Sequence, residues 1–267
     1  MKKVIISAAA LLMAVGLILS GCASSDGESW SKIEGKGQFV MGLDENFPPM
    51  GFRDEKGEIT GFDIEVAEEV CSRLGIELKV QPINWDAKEQ ELNTGNIDAI
   101  WNGFTITKER QAQVLFSEPY MKNRQVLVVM ENSGFNSQED LKDKKLGIQA
   151  ASSAADALNS EEDFKSSLAE VVEFDDNMMA LMDLEKGGVD TVLMDEIVAR
   201  YYIQMKDKGY KVLDKELASE EYGIGFRKGD KQLQQKFGET LTAMAKDGKL
   251  AEISIKWFGE DISTIAK

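Results

Sequence analysis

The side chains that carry most covalent enzyme chemistry are nearly absent from this chain. Its 267 residues include two cysteines, Cys22 and Cys71, and no histidine. Without an imidazole, neither a Ser-His-Asp nor a Cys-His relay can be assembled, and no ordinary zinc site either. Cys71 falls in a helical apolar pattern with Ile64, Ala67 and Leu74, the setting of a small buried residue rather than a nucleophile. Neither a catalytic group, a metal site nor a cofactor is therefore expected. Charge, by contrast, is abundant: 31 Lys and Arg against 47 Asp and Glu, net −16. That sign excludes a general affinity for nucleic acid or anionic membrane. It gives solubility and a mild attraction for cationic solutes.

Cys22 has a different setting. Lys2 and Lys3 precede an apolar run from Val4 to Leu19, about 16 residues, the pattern of a secretory signal. A spanning helix needs roughly 20. The run ends in Leu19-Ser20-Gly21-Cys22, which resembles the bacterial lipobox. That resemblance implies a signal peptide over residues 1–21 and a diacylglycerol thioether on Cys22 as the mature N-terminus. Loss of the leader takes the net charge from −16 to −18. It also leaves Cys71 without a disulfide partner. Residues 22–35 are rich in Ser, Gly and charge and read as a flexible tether.

Positioning elements follow from periodicity. Gln38–Leu43 reads as a strand, and Phe47-Pro48-Pro49 forces an extended turn. Glu58–Thr60 is a short strand. Apolar residues at helical spacing run from Phe62 until Gly75. Strand Ile76–Gln81, helix Asp86–Asn93 and buried strand Ile97–Trp101 complete an α/β unit. Gln125–Met130 is a β-prone run, and Ser137 to Asp140 forms a capping box. A second unit then alternates: strand Lys145–Gln149, a helix from Ser152, strand Val171–Phe174, helix Asp176–Lys186, strand Val189–Met194, helix Glu196–Met205. Another β-prone run, Tyr222–Arg227, precedes helices Lys231–Lys246 and Leu250–Phe258. Local pattern does not say which unit these last helices join.

Several stretches resemble the extracellular solute-binding proteins (family 3) of polar amino-acid ABC transporters. They are GLDENFPPMGFRDEKGEITGFDIEVAEEV (42–70), WDAKEQELNTGNIDAIWNGFTITKER (85–110), FSEPY (116–120), VDTVLMDE (189–196) and YGIGFRKGD (222–230). The resemblance implies an α/β, two-lobed periplasmic-binding-protein-like (type II) fold. Each lobe would be a mainly parallel sheet flanked by helices, joined by two crossing strands near Gln125–Val129 and Tyr222–Phe226. Residues 36–124 and 225–267 would make lobe 1, and 125–224 lobe 2, with a ligand between them.

The same resemblance implies a set of site residues. Arg110 would clamp a ligand carboxylate, a task suited to the guanidinium fork. Ser152 and Ser153 would offer amides at a helix start, although AASSAAD (150–156) departs here from the family's commoner Gly-Thr. Both serines also suit helix capping. Asp195 would accept the ligand ammonium, with Gly103 and Thr105 adding a carbonyl and a hydroxyl, while Thr107 is a structural cap. Asp44, Phe47, Trp85, Asn102 and Gln149 would line the side-chain pocket.

The implied role is a lipid-anchored receptor on the extracellular face of a bacterial cell membrane, without enzymatic activity. It would pass an amino acid to a separate permease and, through that, an ATPase. Asp44 favours arginine, then lysine, with cystine or glutamine behind. Two other readings compete: a dehydratase of the prephenate or arogenate type on the same fold, and a sensory or adhesive lipoprotein.

Overall fold

The computed structural model describes residues 28–206 and 209–266. The signal peptide, Cys22 and the first part of the tether lie outside these. Among the described residues no helix is long and apolar enough to cross a membrane.

The chain opens with a helix, α1 (Glu28–Lys36), which corrects the tether assigned to 22–35. Trp30 and Ile33, three residues apart, are both buried, and their burial organises an otherwise polar segment. Next come β1 (Gln38–Leu43), β2 (Asn46–Phe47), β3 (Gly51–Arg53), β4 (Ile59–Thr60), α2 (Phe62–Leu74) and β5 (Glu77–Pro82). In α2 the buried residues include Phe62, Ile64, Val66, Ala67, Val70 and Cys71. Gly75, at φ 70°, ends the helix in the left-handed conformation that lets its N–H close back on the last turn. A 3-10 turn at Trp85–Ala87 leads into α3 (Lys88–Thr94), β6 (Ala99–Ile100), α4 (Lys108–Gln113) and β7 (Val114–Phe116).

The second half holds β8 (Met121–Met130), β9 (Lys145–Gln149), α5 (Ser153–Ser160), α6 (Glu162–Ser167), β10 (Glu170–Phe174), α7 (Asn177–Lys186), β11 (Thr191–Asp195) and α8 (Glu196–Lys206). After them come β12 (Tyr210–Tyr222), β13 (Gly225–Arg227), α9 (Lys231–Asp247) and α10 (Lys249–Phe258).

Two five-stranded sheets result, ordered β5-β1-β6-β13-β7 and β10-β9-β11-β8-β12. Each is mixed rather than mainly parallel. In the first, β1 runs parallel to β5 and β6, while β13 is antiparallel to β6 and β7. In the second, β9 is parallel to β10 and β11, while β8 is antiparallel to β11 and β12. The antiparallel pairs arise because β8 and β13 arrive from the opposite sheet and enter in the reverse sense. The first crossing lies at residues 117–120, earlier than the Gln125–Val129 run, since β8 already pairs at Met121 with Tyr222. The return is made by residues 223–224, between β12 and β13.

Helices α9 and α10 pack on the first sheet's lobe, against α1, α2 and β7. Phe237 of α9 is their anchor, with Phe39, Phe226 and Trp101 at ring-centroid distances of 4.5, 5.6 and 6.3 Å. The second lobe has its own apolar cluster, including Leu127, Leu146, Ile148, Leu158 and Leu193.

Candidate functional site

The carboxyl ends of β1, β6, β9 and β11 point into the space between the lobes, so the residues just past them face one another. Direct hydrogen bonds cross this cleft. Gln149 Nε2 donates to Asp44 Oδ2 (2.8 Å), Asn46 Nδ2 to Asp176 Oδ2 (3.1 Å), and Ser153 Oγ to Thr105 Oγ1 (3.1 Å). Lys88 Nζ and Arg110 Nη2 both donate to Ala151 O, at 3.1 and 3.3 Å. Ala151 reaches them from a left-handed backbone, φ 52°, unusual for alanine.

Arg110 sits in the first turn of α4, whose N-cap Thr107 accepts the Arg110 N–H, as the capping reading expects. Its guanidinium lies 4.7 Å from the Phe104 ring centroid and also donates to Thr105 O at 3.0 Å. Although Arg110 is only 6% exposed, its side chain hydrogen-bonds only carbonyl oxygens among the described residues, Thr105 O and Ala151 O. Burial lowers its pKa, and the charges of Asp156 and Glu89 oppose that. A buried cation without a close anion is costly, and a ligand carboxylate would remove that cost.

Ser152 is the N-cap of α5: its hydroxyl accepts from Ala155 N and donates to Gln149 O. Ser153, one residue on, is turned to the cleft. Asp195 ends β11 and is buried. One oxygen accepts from Asn123 Nδ2 (2.6 Å) and Tyr222 OH (2.7 Å). Desolvation, then the nearby charge of Glu220, push its pKa up. A cation next to it would restore the ionised form.

Gly103 has φ +55°, and an added Cβ would lie 2.8 Å from Phe47 and 3.2 Å from the Tyr222 ring. Both rings therefore press on the Gly103 backbone, which only glycine permits. Its N–H is held by Asp63 Oδ2 at 2.7 Å. Asn102 turns its Oδ1 to the Asp44 N–H (3.2 Å), so its closest role is to fix the Asp44 turn. Asp44 splits its carboxylate. Oδ1 accepts from Asn46 N in an Asx turn, while Oδ2 faces Gln149. Burial raises its pKa to about 6, and the charges of Asp176 and Glu45 add to the rise.

Trp85 meets Phe104 edge-on at 5.8 Å, and Lys88 Nζ lies 5.1 Å from the Trp85 ring. Phe47 instead packs on Gly103, so the two rings serve different walls.

Lys88, Asp63, Asn123, Gln125 and Glu220, none of them marked by a motif of its own, also belong to this polar network. Lys88 is 2% exposed, and burial followed by the Arg110 charge lowers its pKa to about 8. Its only signal was a place in a KEQEL run that looks like a solvated helix face. Asn123, Gln125 and Glu220 sit on β8 and β12, the strands that join the lobes.

The model of the bacterial extracellular solute-binding proteins, family 3, matches residues 39–260, and the chain belongs to that family. It is similar to the L-cystine-binding protein TcyJ of Escherichia coli (strain K12), 31% identical over 94% of this chain and 95% of the relative. The arginine-binding extracellular protein ArtP of Bacillus subtilis (strain 168) is 29% identical, with 97% and 98% covered. Among solved structures, a Streptococcus pneumoniae ABC uptake transporter substrate-binding protein with bound histidine superposes with a TM-score of 0.86. It is 42% identical, with 89% of this chain and 99% of that one covered.

Proposed function

We propose that the protein closes its two lobes on a free polar or cationic L-amino acid, arginine before lysine, and delivers it to the permease of an ABC importer. The observation that carries the reading is Arg110: a buried guanidinium from one lobe, lacking a close carboxylate among the described residues, in the same cleft as the buried carboxylate of Asp195 from the other. A zwitterion supplies both missing charges at once.

The rim supports a cationic side chain. A cavity of about 230 Å³ is lined by Asp44, Glu45, Asp175 and Asp176 together with Asn84 and Trp85. A guanidinium there would satisfy Asp44 and could stack on Trp85, a contact worth about 1–2 kcal/mol when desolvated. It would compete with Gln149 for Asp44 Oδ2. Calorimetry with arginine, lysine, histidine, cystine, glutamine and leucine should find arginine tightest. Asp44→Asn should weaken arginine by about tenfold and the neutral ligands less. Best binding of leucine, or an equal loss for every ligand, would overturn the preference.

The membrane link is proposed to be the lipid on Cys22. Cys22→Ala should move the protein from the membrane fraction to soluble material or leave it unprocessed. Globomycin-resistant, lipid-free processing of the wild type would refute the anchor.

A further inference from the structure

The structure assigns to Glu220 a positioning role that rests on the proposed amino-acid site: it sets the hydrogen-bond polarity of the wall around Asp195, so that this wall selects a primary ammonium group. Glu220 lies near the end of β12, on the strand that returns to the first lobe. Its Oε2 accepts from Thr105 Oγ1 (3.1 Å), Asn123 Nδ2 (3.1 Å), Gln125 Nε2 (2.9 Å) and Ser153 Oγ (3.3 Å). Thr105 belongs to the first lobe and the other donors to the second.

The protons of this wall can be followed one by one. Asn123 has two amide protons, directed at Asp195 Oδ1 and at Glu220 Oε2. Gln125 has two, directed at Ser153 Oγ (3.2 Å) and Glu220 Oε2. Ser153 donates to Thr105 Oγ1 or to Glu220, Thr105 donates to Glu220, and Tyr222 donates to Asp195. Every one of these protons thus ends inside the network, and the chains terminate on one of two carboxylates.

What the wall has left is acceptors. Asn123 Oδ1 and Gln125 Oε1 are buried without a hydrogen-bond partner among the described residues, and Thr105 keeps a lone pair. A primary ammonium, with three donors and no acceptor, is the complement of such a surface. An α-hydroxyl, which brings one donor and its own lone pairs, is not, and neither is a trimethylated nitrogen. Were Glu220 an amide, the hydroxyls of Thr105 and Ser153 could turn their protons to the ligand, and the preference would weaken.

The test compares L-arginine, L-histidine and L-glutamine, each with its 2-hydroxy acid counterpart, on wild type and on Glu220→Gln. A site built to pair one polar group rejects the analogue that lacks it by large factors. In Glu220→Gln, amino-acid affinity should fall by about tenfold and the hydroxy acid's by less, so the ratio between them shrinks. Equal losses for both would show a scaffold role and overturn the assignment, as would unchanged binding. Wild type binding none of the amino acids in the calorimetry panel, cystine and lysine included, would refute the amino-acid site itself, a separate result. Should Glu220→Gln melt too low to assay, Thr105→Val and Thr105→Ser replace it. The ratio should shrink in the valine variant alone, and a ratio preserved there overturns the assignment.

Discussion

Arg110→Ala should weaken amino-acid binding by at least about 100-fold, because it leaves the ligand carboxylate buried without its cation. The loss is compounded. The guanidinium touches Thr105 O in its own lobe and Ala151 O in the other, so its removal also deletes a bond between the lobes. Arg110→Lys should recover little of this, since an ammonium cannot span two carbonyls and a carboxylate from one fork. Asp195→Ala should cost a similar factor by stranding the ammonium. Titration calorimetry measures both, and far-ultraviolet circular dichroism should show the fold intact, because neither side chain holds a sheet together. Near-normal affinity in either variant would mean that these residues do not grip the ligand.

The second large effect is on stability. Four buried carboxylates titrate upward in the folded protein: Asp44 to about 6, Asp63 to about 7, and Asp195 and Asp230 in the same direction, each chiefly from desolvation. Their ordinary values lie near 3.8. Between those limits the folded state binds more protons than the unfolded one, so stability rises as pH falls through the window from about 7 to 4. Lys88 works in another range. Its pKa is lowered to about 8, so its destabilising effect grows as pH drops from about 10.5 to 8 and is constant below. Ligand-free protein should therefore melt several degrees higher at pH 5 than at pH 8, each 1 kcal/mol moving the midpoint by roughly 2–4 °C. Asp63→Asn, which keeps a carbonyl for the Gly103 N–H, should flatten part of that slope. A midpoint higher at pH 8, or a slope unchanged in the variant, would contradict the linkage.

Much of this architecture was legible because it is local. The period of α2 and its Gly75 stop, the run of α7 to Lys186, and the apolar strand β11 leading to Asp195 each declare themselves within a dozen residues. Segments whose reason is distant did not. β12 reads YKVLDKELASEEY, with no clean alternation, and its pairing with β8 slips register at Val212, Glu216 and Ala218. Helix α1 looked like a tether because Trp30 and Ile33 stand alone among polar residues. In the cleft, Arg110 and Asp195 came from family motifs, whereas Glu220 was hidden in an acidic Glu-Glu pair. Its partners Thr105 and Asn123 lie 115 and 97 positions away. Asp44 and Gln149 are 105 apart. No window of sequence contains both members of such a pair.

Docking of α1 onto the first lobe has a mechanical consequence. If a lipid sits on Cys22, helix α1 begins six residues further on, at Glu28, and six residues of backbone reach at most about 20 Å. The receptor would then work as a tethered object confined to a thin shell above the bilayer. Its encounters with a permease would be governed by lateral diffusion in two dimensions and by a restricted set of orientations, with its first lobe always nearest the attachment point. Lengthening that stretch by a dozen residues would leave solute affinity untouched while changing how often, and at what angle, the loaded protein meets its membrane partner.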